Sequence, residues 1–162
     1  VAILVNPSVA SHALDVRELQ IAARSLTIRL QVVEARAPNE IAMAFSEARQ
    51  KQAGALVVLG SSMFFGNRAQ FVELASSNRL PAMYGVKEFV ELGGLVAYAP
   101  NLRDSFRRAA GYVDRILKGA KPGDLPIEQP TTFELTINLK TAKTLGLAIP
   151  QSLLLQADEV IQ

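Results

Sequence analysis

Short apolar runs alternate along this chain with stretches in which apolar residues return every third or fourth position. The runs are Val1–Val5, Ile28–Glu34, Ala55–Leu59, Pro81–Tyr84 and Gly94–Tyr98. Most lack the in-out alternation of a half-exposed strand, which is how strands covered on both faces read. The helical stretches fill the gaps. Ser11 is placed to cap a helix reaching about Leu26, with Val16, Leu19, Ala23 and Leu26 on one stripe. Asn39 precedes a second, with Ile41, Phe45 and Ala48 facing inward, and Asn67 a third, with Phe71, Leu74 and Ala75. A short helix over Val86–Leu92 stops at Gly93-Gly94. A longer one over Leu102–Lys118 carries Leu102, Phe106, Ala109, Val113 and Ile116 on one face and ends at Gly119. Strand–helix alternation with right-handed crossovers predicts an α/β fold: a doubly wound, mostly parallel sheet with helices on both faces, its first three strands in the order 2-1-3.

Beyond Gly119 the texture changes. Lys121 to Pro130 is a turn-rich connector containing Pro122, Pro126 and Pro130. Thr132–Leu139 alternates, Phe133, Leu135 and Ile137 against Thr132, Glu134 and Thr136, and predicts an edge or extended strand. Thr141–Leu147 reads as a short helix and Ser152–Ile161 as a final amphipathic helix, with Pro150 between them.

Composition supports a packed domain and removes several chemistries. Of 162 residues 49% are apolar and 20% charged, enough to bury a core without staples. There is no cysteine, hence no disulfide scaffold, thiol nucleophile or zinc–thiolate site, and the lone His12 excludes a multi-histidine metal site. The longest uncharged stretch, Gln52 to Asn67, is interrupted by Gly54, Gly60, Ser61 and Ser62 and falls short of a membrane span. The net charge of +2 is spread along the chain without a basic stripe, so nucleic acid is not expected as a partner. The chain opens inside a strand-like run without an initiator Met, which reads as processing or truncation.

Enzyme motifs are missing where they would have to stand. The turn after the first strand is Asn6-Pro7-Ser8, without the glycines that let a dinucleotide pyrophosphate approach the backbone. No phosphate loop ending in Gly-Lys-Ser/Thr exists, and Leu59-Gly60-Ser61-Ser62-Met63 lacks the flanking glycines of a nucleophile elbow. His12, one turn into a capped helix, reads as exposed. No cofactor, metal or catalytic residue is assigned.

What remains is a set of polar and aromatic residues at the C-terminal ends of strands, where open α/β sheets bind ligands. With the order 2-1-3 the switch point lies between Asn6-Pro7-Ser8 and the loop Gly60 to Phe65. Beside it fall Tyr84-Gly85-Val86-Lys87-Glu88 and Tyr98-Ala99-Pro100-Asn101. Hydroxyls and amides to orient a ligand, rings to enclose it and charges to meet its own make a small-molecule constellation. Taken singly, each has a structural reading too: Asn6 and Ser8 as turn formers, Ser61 and Ser62 as caps, Phe64 and Phe65 as core.

The segment Ala110-Gly111-Tyr112-Val113-Asp114-Arg115-Ile116-Leu117-Lys118-Gly119-Ala120-Lys121-Pro122-Gly123-Asp124-Leu125-Pro126 resembles the signature of an ABC-transporter substrate-binding protein family, the tryptophan/tyrosine-binding-like members of the type I periplasmic binding proteins. Val5-Asn6-Pro7, Pro81-Ala82-Met83-Tyr84-Gly85-Val86-Lys87-Glu88-Phe89 and the stretch Phe133 to Ile161 continue the likeness over essentially the whole chain. Two positions depart from it. Lys87 stands where arginine is usual, which turns a bidentate grip into a point charge, and the Gly60–Phe65 loop lacks the commoner Asp-Pro form.

The resemblance implies two α/β lobes closing on a ligand, with this chain supplying the second. Residues 1–100 would form that lobe, residues 101–120 a helix resting on a first lobe outside this chain, and residues 121–162 a connector, return strand and C-terminal helices. It further implies a solute-binding component of an importer: a small-molecule ligand such as an aromatic or branched amino acid, a membrane permease as partner, and a periplasmic or lipid-anchored location. Asn6, Ser8, Ser61, Ser62, Phe64, Tyr84, Lys87, Glu88 and Tyr98 are the candidate ligand-binding residues, with Glu88 for an ammonium and Lys87 or the serines for a carboxylate. Without its partner lobe, the chain would pair with a second copy. The rival readings are a ligand-sensing domain of a transcription regulator and a self-contained flavodoxin-like domain.

Overall fold

The computed structural model describes residues 1–162. Seven strands form one sheet in the order β2-β1-β3-β4-β5-β6-β7: β1 (Ala2–Val5), β2 (Gln31–Glu34), β3 (Leu56–Val58), β4 (Ala82–Tyr84), β5 (Val96–Pro100), β6 (Phe133–Asn138) and β7 (Glu159–Ile161). The first five are parallel, as the alternation predicts. β6 runs antiparallel to β5, and β7 parallel to β6. The expected 2-1-3 start is present.

Helices α1 (His12–Ser25), α2 (Ile41–Gln50), α3 (Ser62–Gly66), α4 (Arg68–Ser77) and α5 (Glu88–Glu91) connect the parallel strands. Strand alternation divides their work. Ala2, Leu4, Val33, Leu56, Val58, Ala82, Tyr84 and Ala97 face one side and share a core with Ile41, Phe45, Phe71, Ala75, Phe89 and Val90 from α2, α4 and α5. Phe71 is its centre, with ring centroids 5.9 Å from Phe45, 4.9 Å from Phe64 and 6.0 Å from Phe89. The other side carries Ile3, Val57, Met83 and Val96, aligned by register across four strands. There α1 leaves an open apolar groove of about 330 Å³, lined by Leu19, Leu26, Val57, Met83 and Val96 among others.

Gly94 shows why the turn into β5 needs glycine. A Cβ there would sit 2.7 Å from the Phe89 carbonyl oxygen and 2.7 Å from the Tyr84 ring.

The helix α6 (Leu102–Leu117) begins where Asn101 Oδ1 accepts the Asp104 N–H at 2.9 Å, a side-chain cap. None of its residues is buried, although its stripe is strongly apolar: Phe106 is 73% and Leu117 82% exposed. A self-contained flavodoxin-like domain would cover such a helix. Polar contacts fix it laterally: Tyr112 Oη donates to the Pro126 carbonyl at 2.6 Å, and Arg108 donates to Thr131 Oγ1 at 2.6 Å and pairs with Glu128 at 3.6 Å.

The C-terminal reading needs correcting. The alternating strand is not an edge, because β7 pairs beyond it. The predicted helix over Ser152–Ile161 is instead the short α8 (Gln151–Leu154) followed by β7. The adjacent apolar residues Val160 and Ile161 fit either element, and pairing with Ile137 and Asn138 decides for the strand. Helix α7 (Leu139–Leu145) starts earlier than its sequence pattern suggests. Asn138 Oδ1 caps it by accepting the Thr141 N–H at 2.9 Å, and Gly146 closes it at φ 72°. Ser11, Asn39 and Asn67 make no side-chain cap at the helices assigned to them, and Asn39 lies inside a 3-10 turn over Pro38–Glu40.

Candidate functional site

Parallel strands β1, β3, β4 and β5 deliver their C-terminal ends to one edge, and four loops leave from it. At the end of β1 the Asn6 side chain is buried. Its Oδ1 accepts the Ser8 N–H at 2.9 Å, closing an Asx turn, and its Nδ2 donates to Ser61 Oγ at 3.3 Å. Ser8 and Ser62 are exposed. His12 is not the exposed residue that its place in the helix suggested: it is 3% exposed, and its ring bridges two loops. Nδ1 accepts the Asn6 N–H at 2.9 Å, so the proton sits on Nε2, which donates to the Gly60 carbonyl at 2.9 Å. Only the neutral ring can make both bonds.

The aromatic candidates divide. Phe64 and Tyr84 belong to the core, each 1% exposed. Phe64 packs on Phe71, and Tyr84 stacks on Phe89 with ring centroids 4.5 Å apart. The Tyr84 hydroxyl is buried without a partner, and burial pushes its phenol far up, so it stays neutral. The sequence expectation that these two rings enclose a ligand gives way to a packing role, because Tyr84 alternates onto the helix-covered face of β4 and Phe64 is the inward residue of α3. Phe65, the neighbour of Phe64, is the exposed ring of that loop, with the Arg68 guanidinium 4.6 Å from its centroid. Tyr98 is half-exposed on the sheet's second face, stacked on Phe133 at 5.5 Å.

Lys87 is engaged within the protein. Its ammonium lies 3.4 Å from Glu91 and 3.4 Å from Glu159, tying α5 to β7. Glu159 foremost, with Glu91, holds that ammonium above the ordinary lysine value. A raised value means the tie contributes fully below pH 10.5 and is lost as pH rises through the folded-state value. Lys87→Met is therefore expected to cost at most about 1 kcal/mol in urea unfolding at pH 7, the pair being half-exposed. The difference from wild type should shrink at pH 11 and not at pH 9.

Glu88, next in sequence, is the opposite case. Its Oε2 is shut off from solvent and has no donor. Such a group costs about 1–3 kcal/mol until a partner arrives. Glu88 lines a cavity of about 510 Å³ formed by the loops after β4 and β5 together with Glu134 of β6. The cavity is also lined by Asn101, from the loop after β5 that the sequence pointed to, and by Arg103, which it did not. Asn101 donates through Nδ2 to Glu134 while capping α6. Glu134 and Arg103 sit in segments read only for their alternation and helical period. A charged residue on the first turn after a C-terminal strand end was the available signal.

The family model "ABC transporter substrate binding protein" matches residues 1–161. This chain belongs to that family. A solved conserved domain protein from Vibrio cholerae is similar at TM-score 0.90 and 22% identity, covering 98% of this chain and 53% of its own. An ABC domain from Streptococcus pneumonia, solved in complex with L-Trp, is similar at TM-score 0.89 and 26% identity, covering 99% and 55%. A ligand-free, open substrate-binding protein with adhesive properties from Clostridium difficile follows at 0.70 and 19%, covering 99% and 54%. No curated protein matches. This family member spans about half the length of the solved structures it matches. No helix in it is long and apolar enough to cross a membrane.

Proposed function

We propose that this chain is one lobe of the solute-binding component of an ABC importer, capturing an aromatic or branched amino acid, or a related aromatic compound, against a second lobe. The observation that carries the reading is the ligand-sized cavity at the C-terminal edge, lined by Glu88, whose carboxylate has no partner in the protein. The L-Trp complex of the streptococcal relative supports the amino-acid class. The action is capture: closure of two lobes on the ligand changes the surface that a membrane permease meets. A location outside the cytoplasm, periplasmic or lipid-anchored, follows from that role.

Residues 1–100 form the lobe in this reading, and residues 121–162 return to it as connector, strand and short helices. Residues 101–120 lead to the other lobe, which covers the apolar stripe of α6. Asn6 and Ser61 shape the loops, Ser8 and Ser62 offer free hydroxyls, and Phe65 and Tyr98 offer exposed rings.

Thermal unfolding against a panel of amino acids, sugars and carboxylic acids tests the ligand class. An aromatic or branched amino acid at a hundredfold excess over its Kd should stabilise by about 2.7 kcal/mol. Stabilisation by sugars alone would overturn the reading.

The stripe gives a separate expectation. Alone in solution the chain should associate through α6 as concentration rises, seen by light scattering. Phe106→Glu with Val113→Glu should restore the monomer. It should change the unfolding free energy by no more than about 0.5 kcal/mol per site, since neither residue is buried. A monomeric wild type at all concentrations would contradict it.

A further inference from the structure

We propose that the cavity recognises the zwitterionic head of an α-amino acid with two side chains, Glu88 for the ammonium and Arg103 for the carboxylate. The inference rests on the solute-binding reading above, and it moves the carboxylate partner away from Lys87. Charge accounting leads to it. Five charged residues line the cavity: Lys87, Glu88, Glu91, Arg103 and Glu134. Lys87 is held between Glu91 and Glu159, and Glu134 accepts from Asn101. That leaves one anion and one cation with no hydrogen bond or ion pair in the protein, Glu88 and Arg103.

A ligand with a single charge would leave one of them stranded as the lobes close and water is displaced. A ligand carrying both charges meets both. The chemistry of each end fits its partner. A guanidinium presents paired N–H donors that match a carboxylate, and a carboxylate accepts the three donors of a compact ammonium. Arg103 is the second residue of α6, whose first turn is fixed by the Asn101 cap, and Asn101 is itself tied to Glu134 of β6. Glu88 begins α5, on the lobe itself. The cavity of about 510 Å³ has room for the head group and part of a side chain, the remainder facing outward.

The test is an amide NMR titration of the 162-residue chain with three probes: L-tryptophan, tryptamine, which lacks the carboxylate, and indole-3-propionate, which lacks the ammonium. In wild type, L-tryptophan should shift the amides of Gly85 and Asn101. Glu88→Gln should weaken L-tryptophan and tryptamine by about tenfold or more and leave indole-3-propionate unchanged. Arg103→Gln should weaken L-tryptophan and indole-3-propionate by a similar factor and leave tryptamine unchanged. The assignment is overturned if wild type binds L-tryptophan and either variant binds it equally well, or if a variant weakens all three probes alike. It is overturned together with the amino-acid reading if neither L-tryptophan nor a branched amino acid shifts any cavity amide of wild type.

Discussion

Phe71→Ala is expected to lower the unfolding free energy by about 3–5 kcal/mol, a large part of what holds a domain of this size together. Phe71 is fully buried, and its ring touches three others, Phe45 from α2, Phe64 from α3 and Phe89 from α5. Removing it opens a void where three helical elements meet over the sheet, and no single neighbour can move in without leaving its own place. Urea unfolding followed by circular dichroism should show the midpoint falling with an unchanged slope. Phe65→Ala, six positions earlier on an exposed face, should cost no more than about 1 kcal/mol, the scale of its contact with Arg68. Equal losses at the two sites would mean that the core is not organised around Phe71.

His12→Ala should cost about 2–4 kcal/mol by a different route. The ring joins the loop after β1 to the loop after β3 through two bonds to backbone, one accepted from Asn6 and one donated to Gly60. Deleting it leaves the Asn6 N–H without a partner in a buried place, a loss of about 1–3 kcal/mol, adds the void left by the ring, and releases the Gly60 carbonyl of an exposed residue. His12→Phe separates bonding from volume: it fills the space and makes neither bond. Phe should therefore be nearly as destabilising as Ala, and the Asn6 amide should exchange faster with solvent in both. Recovery of stability in the Phe variant would assign the effect to packing. Because these two loops border the candidate crevice, ligand affinity should fall in parallel.

The pattern of residues along the chain predicted most of what positions the site. Five parallel strands stand within a few residues of their apolar runs, and α2 and α4 bury Ile41, Phe45, Ala48, Phe71 and Ala75 as named, whereas of the stripe named for α1 only Ala23 is buried and Leu26 is exposed. The crevice edge and Glu88 were readable as well, because the first residues after a buried strand must lie at its C-terminal end. The aromatic assignments failed at Phe64 and Tyr84 for a local reason. Adjacent residues such as Phe64 and Phe65 point in different directions on a short helix, and composition alone does not tell which one turns inward.

Local pattern therefore determined the α/β alternation, the 2-1-3 start and the apolar stripe of α6. These depend on periods of a few residues, which the chain states outright. Tertiary structure alone decided the burial of His12, the placing of β7 beside β6, the capture of Lys87 by Glu159 and the freedom of Glu88 and Arg103. Each depends on which groups meet across long separations, 48 residues for His12 and Gly60 and 72 for Lys87 and Glu159. A polar side chain has no fixed partner until the sheet closes those loops. Only then does its hydrogen-bonding capacity become either satisfied or available to a ligand.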